Sequence, residues 1–171
     1  LARQLEKYKG NNNCLVLGVP RGGLPVAYEV ATALHLPLDI ILAKKIGHPH
    51  NKEYAIGAVT QDLVLVDKYN DVSEEYIESE VSRIRQQIKE RNTLFRKNRP
   101  APDFKNKIIL LVDDGIATGS TLLITIKMLQ NAGTGKIVVA SPVVPADRVQ
   151  VISQTCDEFV YLHAPDYFEG V

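Results

Sequence analysis

Cysteine is scarce in this chain of 171 residues, which contains only Cys14 and Cys156. Two thiols far apart in apolar surroundings do not provide the framework of a small secreted disulfide domain. Free thiols in apolar segments are typical of a reducing compartment. We therefore expect a cytoplasmic protein.

Net charge is absent as well, because Lys and Arg together number 20 and Asp and Glu together number 20. A chain without excess charge has no bulk attraction for duplex DNA or for an anionic membrane surface. We expect neither a membrane nor a nucleic acid as partner. Any acidic or basic function must then be local.

Long apolar runs, repeats and domain linkers are also missing. No run approaches the roughly 18 apolar residues of a membrane-spanning helix, and no signal-peptide pattern opens the chain. A length of 171 residues with 45% apolar and 23% charged residues is typical of one globular domain, here residues 1–171. The start at Leu1 rather than Met, and the end at Val171 in mid-pattern, lead us to expect a fragment of a longer product.

Short apolar runs alternate with helical patterns along most of the chain. This alternation implies right-handed crossovers and an α/β fold with a mainly parallel twisted sheet and helices on both faces. Ligands in such sheets bind beyond the carboxyl ends of the strands. Strands are predicted at 14–19, 37–43, 108–112, 136–141 and 158–162, and helices at 24–35, 120–131 and 145–154.

The middle of the chain is less regular. Residues 44–51 are expected to be irregular, and "YAIGAV" and "LVLVD" are expected to form an antiparallel pair or a strand and its neighbour. A long amphipathic helix is predicted from Ser73 to about Asn98, with Ser73 as its N-cap. Glutamates at its start and arginines and lysines at its end complement the helix dipole.

The segment 108–121, "IILLVDDGIATGST", carries the strongest chemical signal. Asp113 and Asp114 follow a buried strand, and a loop rich in Gly, Thr and Ser then opens a helix. Such a loop with a helix N-terminus behind it binds anions, whereas paired carboxylates bind hydroxyls or a divalent cation. A ribose 5-phosphate with a metal satisfies both halves. The spacing matches neither a Walker A loop nor a dinucleotide-binding loop.

"LLVDDGIATGST" strongly resembles the phosphoribosyl pyrophosphate signature of type I phosphoribosyltransferases. The resemblance implies that Asp113 and Asp114 hold the ribose hydroxyls and act in catalysis. It also implies a loop that holds the 5-phosphate. That loop comprises Gly115, Ala117, Thr118, Gly119, Ser120 and Thr121.

Two further segments are similar to loops of that family. "GVPRGGLPVAYEVA" resembles the pyrophosphate loop, in which Arg21 would reach the pyrophosphate and Gly22 and Gly23 would let amides approach it. The resemblance implies a cis peptide at Pro20–Arg21 or Arg21–Gly22. "DIILAKKIGHPHNKEYAIGAV" resembles the strand and flexible lid loop, with Lys44 or Lys45 on pyrophosphate.

The lid segment raises two smaller questions. Glu53 is an acid/base candidate because it lies in the lid, although a surface carboxylate fits as well. His48 and His50 have no third ligand nearby in sequence, which favours an exposed loop over a metal site.

The C-terminal "DEFVYLHAPDYF" resembles the hood of 6-oxopurine phosphoribosyltransferases, placed at about 142–171. The resemblance implies that Phe159 and Val160 contact a base and that Asp166 helps to hold Mg²⁺. Ordinary core packing is the alternative for Phe159. The chain departs from this subgroup at Pro145, where a base-reading lysine is expected, and at Ala117, where some purine enzymes have an acidic residue.

These observations together predict an enzyme, a Mg²⁺-dependent phosphoribosyltransferase that transfers ribose 5-phosphate from phosphoribosyl pyrophosphate to a small-molecule acceptor, a nitrogenous base or similar. We further expect a homo-oligomer, namely a dimer. One alternative is a non-catalytic regulator that senses phosphoribosyl pyrophosphate, favoured by the basic end of the long helix. A second uses ribose 5-phosphate alone, in a phosphatase- or lyase-like reaction.

Overall fold

The computed structural model describes residues 1–61, 64–66, 71–97, 99–100 and 102–166, with all side chains except those of Glu53 and Arg96. The chain forms two compact units. Unit 1 comprises Leu1–Ile41 and Pro102–Val171, and unit 2 comprises Leu42–Ala101. The organisation of residues 1–171 as a single domain stays a prediction.

Strands and helices are numbered in chain order within the described residues. The strands are β1 (Cys14–Gly18), β2 (Leu38–Ile40), β3 (Lys44–His48), β4 (Asn51–Val59), β5 (Val64–Val66), β6 (Ile108–Val112), β7 (Lys136–Val143) and β8 (Glu158–His163). The α-helices are α1 (Gly23–Leu34), α2 (Glu74–Arg96), α3 (Ser120–Asn131) and α4 (Ala146–Ser153), and a 3₁₀ helix spans Ala2–Tyr8. None of these helices is both long and apolar enough to cross a membrane.

Unit 1 is built on a parallel five-stranded sheet in the order β2-β1-β6-β7-β8. Central strands β1 and β6 are almost entirely buried, as their uninterrupted apolar sequences require. Helix α1 and the 3₁₀ helix pack on one face of the sheet, and α3 and α4 pack on the other. The predicted α/β fold, with helices on both faces of a mainly parallel sheet, is confirmed.

A cluster of charged groups attaches the 3₁₀ helix to the sheet. Tyr8 donates a 2.6 Å hydrogen bond to Glu158 on β8, and Lys7 and Lys136 lie 2.8 and 3.2 Å from the same carboxylate. Burial alone would raise the pKa of Glu158, but these three donors outweigh it and lower the pKa to about 2. The ionised carboxylate therefore stabilises the folded state.

Unit 2 is a three-stranded antiparallel sheet, β3-β4-β5, covered by α2. Helix α2 begins after Ser73, whose hydroxyl accepts a 3.3 Å hydrogen bond from the amide of Tyr76, so the predicted N-cap is confirmed. Ile84 and Ile88 are each 1% exposed and form the helix side of the core. The sheet side is formed by Ile46, Ile56 and Val59, which are fully buried.

Several predicted boundaries and segments need correction. Of the two alternatives for "YAIGAV" and "LVLVD", the antiparallel pair is confirmed as β4 with β5 over Val64–Val66, while Leu63 and Asp67 lie outside the described residues. The irregular segment predicted at 44–51 is wrong. Residues Lys44–His48 form β3, which pairs with β4 through two register shifts at Gly47. The local pattern did not reveal this pairing because the shifts break the alternation. Strand β2 is shorter than predicted because the chain passes into unit 2 after Ile41.

Candidate active site

The two glycine-containing loops of unit 1 meet at one point of the sheet. Strands β1 and β6 are adjacent and parallel, with Gly18 opposite Val112. The chain after β1 enters α1 on one face, whereas the chain after β6 enters α3 on the other face. Adjacent strands whose following helices diverge create a crevice at their carboxyl ends. The loops 19–22 and 113–119 form the walls of this crevice.

Gly22 and Gly23 allow these two loops to touch. A Cβ built on Gly22 would overlap the carboxylate of Asp114, and one on Gly23 would lie 2.9 Å from the carbonyl oxygen of Val112 and 3.2 Å from Oδ1 of Asp113. No side chain fits at either position. The backbone of the first loop therefore lies directly against the acidic pair.

The electrostatic environment of Asp113 disfavours its ionised form. Burial, together with a hydrogen bond to the Asp114 side chain and the charge of that side chain, raises the pKa of Asp113 to about 7. The amide of Asp114 donates a 3.0 Å hydrogen bond to Oδ1 of Asp113 and opposes the shift only in part. A hydroxyl donor or a cation at this pair would compensate its negative charge.

The loop before α3 presents backbone amides at the N-terminus of a 12-residue helix. Gly119 is the N-cap, with φ at +75°, a conformation that favours glycine. No acidic residue lies in the first turn, and the Thr118 hydroxyl lies 3.2 Å from that of Ser120. Ala117, Thr118 and Thr121 are exposed, while Gly115 and Ser120 are partly buried. These features suit an anion.

Arg21 lies at the tip of the other loop. Its side chain is exposed, and its peptide bond to Pro20 is cis. The expected cis peptide is thus present at Pro20–Arg21, the first of the two candidate bonds.

The acidic pair suits Mg²⁺ only together with a ligand that brings further oxygens. Carboxylate oxygens are preferred by Mg²⁺, which is commonly held by one or two carboxylates plus substrate phosphates. Among the described residues no three or more His, Cys, Asp or Glu side chains are grouped so that they could hold a metal. Asp166, which is exposed just beyond β8, does not join Asp113 and Asp114 in such a group. Its role at the metal stays a prediction.

Comparison with known proteins agrees with this geometry. The family model described as "Phosphoribosyl transferase domain" matches residues 1–160. The chain belongs to the phosphoribosyl transferase domain family.

Two relatives share more than a third of their aligned residues with this phosphoribosyl transferase domain. The Mycobacterium tuberculosis (strain ATCC 25618 / H37Rv) protein "Putative phosphoribosyl transferase Rv0571c" is 36% identical over 176 residues, covering 100% of this chain and 40% of the relative. The crystal structure of TT1426 from Thermus thermophilus has 34% identity and a TM-score of 0.88, covering 99% of this chain and 82% of that one.

A more distant solved structure shares the fold alone. The purine phosphoribosyltransferase from Pyrococcus horikoshii Ot3 is 21% identical, with a TM-score of 0.54, covering 100% of this chain and 87% of that chain. This phosphoribosyl transferase domain spans about 40% of the length of the curated relatives that it matches.

Strand geometry separates the two candidate lysines of the phosphoribosyl transferase domain. Side chains alternate between the faces of a strand, and Ile46 on β3 is buried in the core against α2. Lys44 therefore shares the face covered by α2, and its ammonium donates a 2.6 Å hydrogen bond to Gln87. Lys45 lies on the opposite face. The side chain of Glu53 lies outside the described residues.

Phe159 and Val160 lie on opposite faces of the sheet. Phe159 packs in the core beside α3 and α4, with its ring centroid 5.1 Å from that of Tyr161, whereas Val160 packs in the core beside α1. The two side chains do not share one face. Their contact with an acceptor stays a prediction.

One contact that shapes the site went unnoticed in the sequence. Gly18 ends β1, and a Cβ there would lie 2.8 Å from Leu24 Cδ2 and 3.0 Å from the Cβ of Ala27. Because Gly18 has no side chain, α1 can start close to the strand, and this sets the position of the loop 19–22. The signal was present as a glycine within an apolar run.

Proposed function

We propose that this chain transfers ribose 5-phosphate from phosphoribosyl pyrophosphate to a nitrogenous base or similar acceptor and releases pyrophosphate. The observation that carries the proposal is the direct packing of Gly22 and Gly23 against Asp113 and Asp114. It supports one crevice in which a sugar diphosphate contacts both loops. Membership of the family supports the same class of reaction.

In the proposed reaction the bond between ribose C1 and the pyrophosphate oxygen breaks as a nitrogen of the acceptor attacks C1. Asp113 and Asp114 accept hydrogen bonds from the ribose hydroxyls and orient the ring. The amides and hydroxyls of Thr118 to Thr121 hold the 5-phosphate at the start of α3. When bound, Mg²⁺ supplies positive charge that stabilises the leaving pyrophosphate.

Arg21 is proposed to stabilise the departing pyrophosphate, and resemblance to the family implies the same role for a lysine of β3. Arg21 is exposed at the crevice, and its fixed charge suits a diphosphate. Lys45 is proposed rather than Lys44, because its side chain lies on the face of β3 opposite to the face that α2 covers. This arrangement stabilises developing charge without a covalent intermediate. A homodimer and a cytoplasmic location belong to the same proposal, the latter supported by free thiols at Cys14 and Cys156.

The decisive experiment measures pyrophosphate release from phosphoribosyl pyrophosphate and Mg²⁺ with a panel of purine and pyrimidine bases. We expect release with at least one base, and weaker binding of phosphoribosyl pyrophosphate by Asp114→Asn. Tight binding without release for any base would favour the sensing regulator instead. Unchanged affinity in Asp114→Asn would contradict the ribose-binding role.

A further inference from the structure

Lys44 has a contact that the proposed reaction does not explain. It is partly buried on the face of β3 that α2 covers, and its ammonium lies 2.6 Å from Oε1 of Gln87. Within the described part of unit 2, no carboxylate forms an ion pair with it. A partly buried ammonium whose partner is a neutral amide keeps its positive charge uncompensated.

Two arginines flank this contact on α2. Arg83, Gln87 and Arg91 are spaced by four residues, so they lie on one stripe of the helix with neighbours about 6 Å apart. Glu80 neutralises Arg83 through hydrogen bonds of 2.9 and 2.8 Å. Arg91 is exposed, and no carboxylate among the described residues pairs with it.

The three positive charges act on one another. Burial lowers the pKa of Lys44, and the charges of Arg91 and Arg83 lower it further. Since Glu80 already compensates Arg83, the uncompensated charge belongs to Lys44 and Arg91. Gln87 adds a donor to this surface, because its oxygen accepts from Lys44 while its amide NH₂ remains able to donate.

We propose that Lys44, Gln87 and Arg91 form a binding site for the phosphate group of a small molecule, built entirely from unit 2. A phosphate offers several acceptor oxygens and up to two negative charges, which match an ammonium, an amide and a guanidinium. Occupancy would connect β3 to α2 through one anion. The zero formal net charge of the chain argues for a small ligand rather than a polyanion.

The test must separate this site from the loop before α3. Ser120→Asp places a carboxylate at the N-terminus of α3, where it repels phosphate but complements the helix dipole and so preserves the fold. Ser120→Asp is used throughout together with Arg21→Gln, because Arg21 is the cation proposed to hold pyrophosphate at the loop 19–22. Binding of inorganic pyrophosphate to this background, without Mg²⁺, is measured by titration calorimetry. We expect one retained binding event.

Substitutions in the Ser120→Asp, Arg21→Gln background then locate that event. Lys44→Gln and Arg91→Gln should each weaken it about tenfold or more, as expected for losing a charge-assisted contact. Arg85→Gln is the matched control, because Arg85 is exposed on α2 but two residues from Arg83 and hence on another face; its binding should stay unchanged. Loss of all binding in the background alone, or full binding in Lys44→Gln, would overturn the proposal.

Thermal unfolding adds a second readout. Lys44→Met removes an uncompensated charge, so its melting temperature without phosphate should equal or exceed that of the wild type, while its rise on adding pyrophosphate should shrink. A lower melting temperature with an undiminished rise would identify a purely structural lysine and overturn the proposal. Inorganic phosphate and a nucleoside monophosphate, titrated separately, show whether the ligand is a free phosphate or carries a nucleoside.

The outcome is independent of the proposed transferase activity. A retained site in the Ser120→Asp, Arg21→Gln background together with absent pyrophosphate release in the wild type would support this inference and contradict the function. Loss of the site in that background together with pyrophosphate release in the wild type would contradict this inference and support the function.

Discussion

The two units position their chemical groups by different means. In unit 1, Gly22 lies against Asp114 so closely that even a methyl group would overlap the carboxylate. In unit 2, the orientation of Lys44 depends on the register of β3 against β4 and on its contact with Gln87. The crevice of unit 1 is therefore determined by packing, whereas the lysine surface of unit 2 is determined by strand register. The two should respond differently to substitution.

The largest effect is expected from Gly22→Ala. Gly22 has φ at −62°, which alanine adopts without strain, so the cost comes only from the contact with Asp114. Displacement of that carboxylate should reduce pyrophosphate release about 100-fold or more. Steady-state assays against the wild type measure the loss.

Gly10→Ala is the control for loss of a glycine without a clash. Gly10 has φ at +65°, and a Cβ at this position would meet no atom within 4 Å beyond its chain neighbours. The substitution should cost about 1 kcal/mol of stability and leave the rate unchanged. Equal rates for wild type and Gly22→Ala would show that the two loops tolerate separation.

The next effect concerns Asp113→Asn and pH. The folded pKa of Asp113, about 7, exceeds the ordinary value of 3.8, so the folded state favours the protonated form. Its ionisation therefore lowers stability progressively from about pH 4 to about pH 7. Asp113→Asn should be more stable than the wild type by about 4 kcal/mol at pH 8 and equally stable near pH 4, while losing activity. Urea unfolding at both pH values measures this.

Glu158→Gln provides a control of opposite sign within unit 1. The pKa of Glu158 is lowered to about 2 despite burial, so its ionised form stabilises the fold above pH 4.5 and this contribution disappears as the pH falls toward 2. Glu158→Gln should be less stable than the wild type at pH 8. A higher stability of Glu158→Gln than of the wild type at pH 8, or a lower stability of Asp113→Asn at that pH, would be inconsistent with these assignments.

A smaller effect is expected in unit 2, where the two lysines can be compared directly. Lys45→Gln should lower pyrophosphate release about tenfold, mainly through kcat, because a charge acting on the leaving group stabilises the transition state. Lys44→Gln should change it less than about threefold. The same loss in both variants would mean that strand alternation does not separate their roles.

The smallest effect is expected from Ser73→Ala at the start of α2. Removing the hydroxyl that accepts from the amide of Tyr76 should cost about 1 kcal/mol of unfolding free energy. Ser79→Ala is the control, since Ser79 only donates to the carbonyl oxygen of Tyr76 inside the helix and should cost much less. Equal unfolding free energies for Ser73→Ala and Ser79→Ala would show that the N-cap of α2 does not contribute to stability.

The sequence predicted most of unit 1, because its signals are local. Buried parallel strands appear as short apolar runs, and α3 was predicted with the bounds that it has, Ser120–Asn131. The acidic pair and the following loop are contiguous, so their adjacency needed no folding information. The contact of Gly22 with Asp114 was not predictable in this way, because it requires β1 and β6 to be neighbours.

Unit 2 was harder to predict for the opposite reason. β3 has register shifts at Gly47, and its partner β4 follows only after a short turn, so residues 44–51 carry no clean alternation. Lys44 and Lys45 are adjacent in sequence and are the same type of residue, so the sequence does not distinguish them. The burial of Ile46 against α2 and the hydrogen bond from Lys44 to Gln87 show which of them faces the helix.

The missing side chain at Gly22 also has an evolutionary consequence. Because every replacement at this position meets the carboxylate of Asp114, we expect selection to act on the two positions together, although they lie in separate parts of the gene. A lineage that acquires a side chain at one would need a shorter or displaced acid at the other. Correlated substitutions at these two positions in related sequences would show that the close contact between the loops constrains both of them.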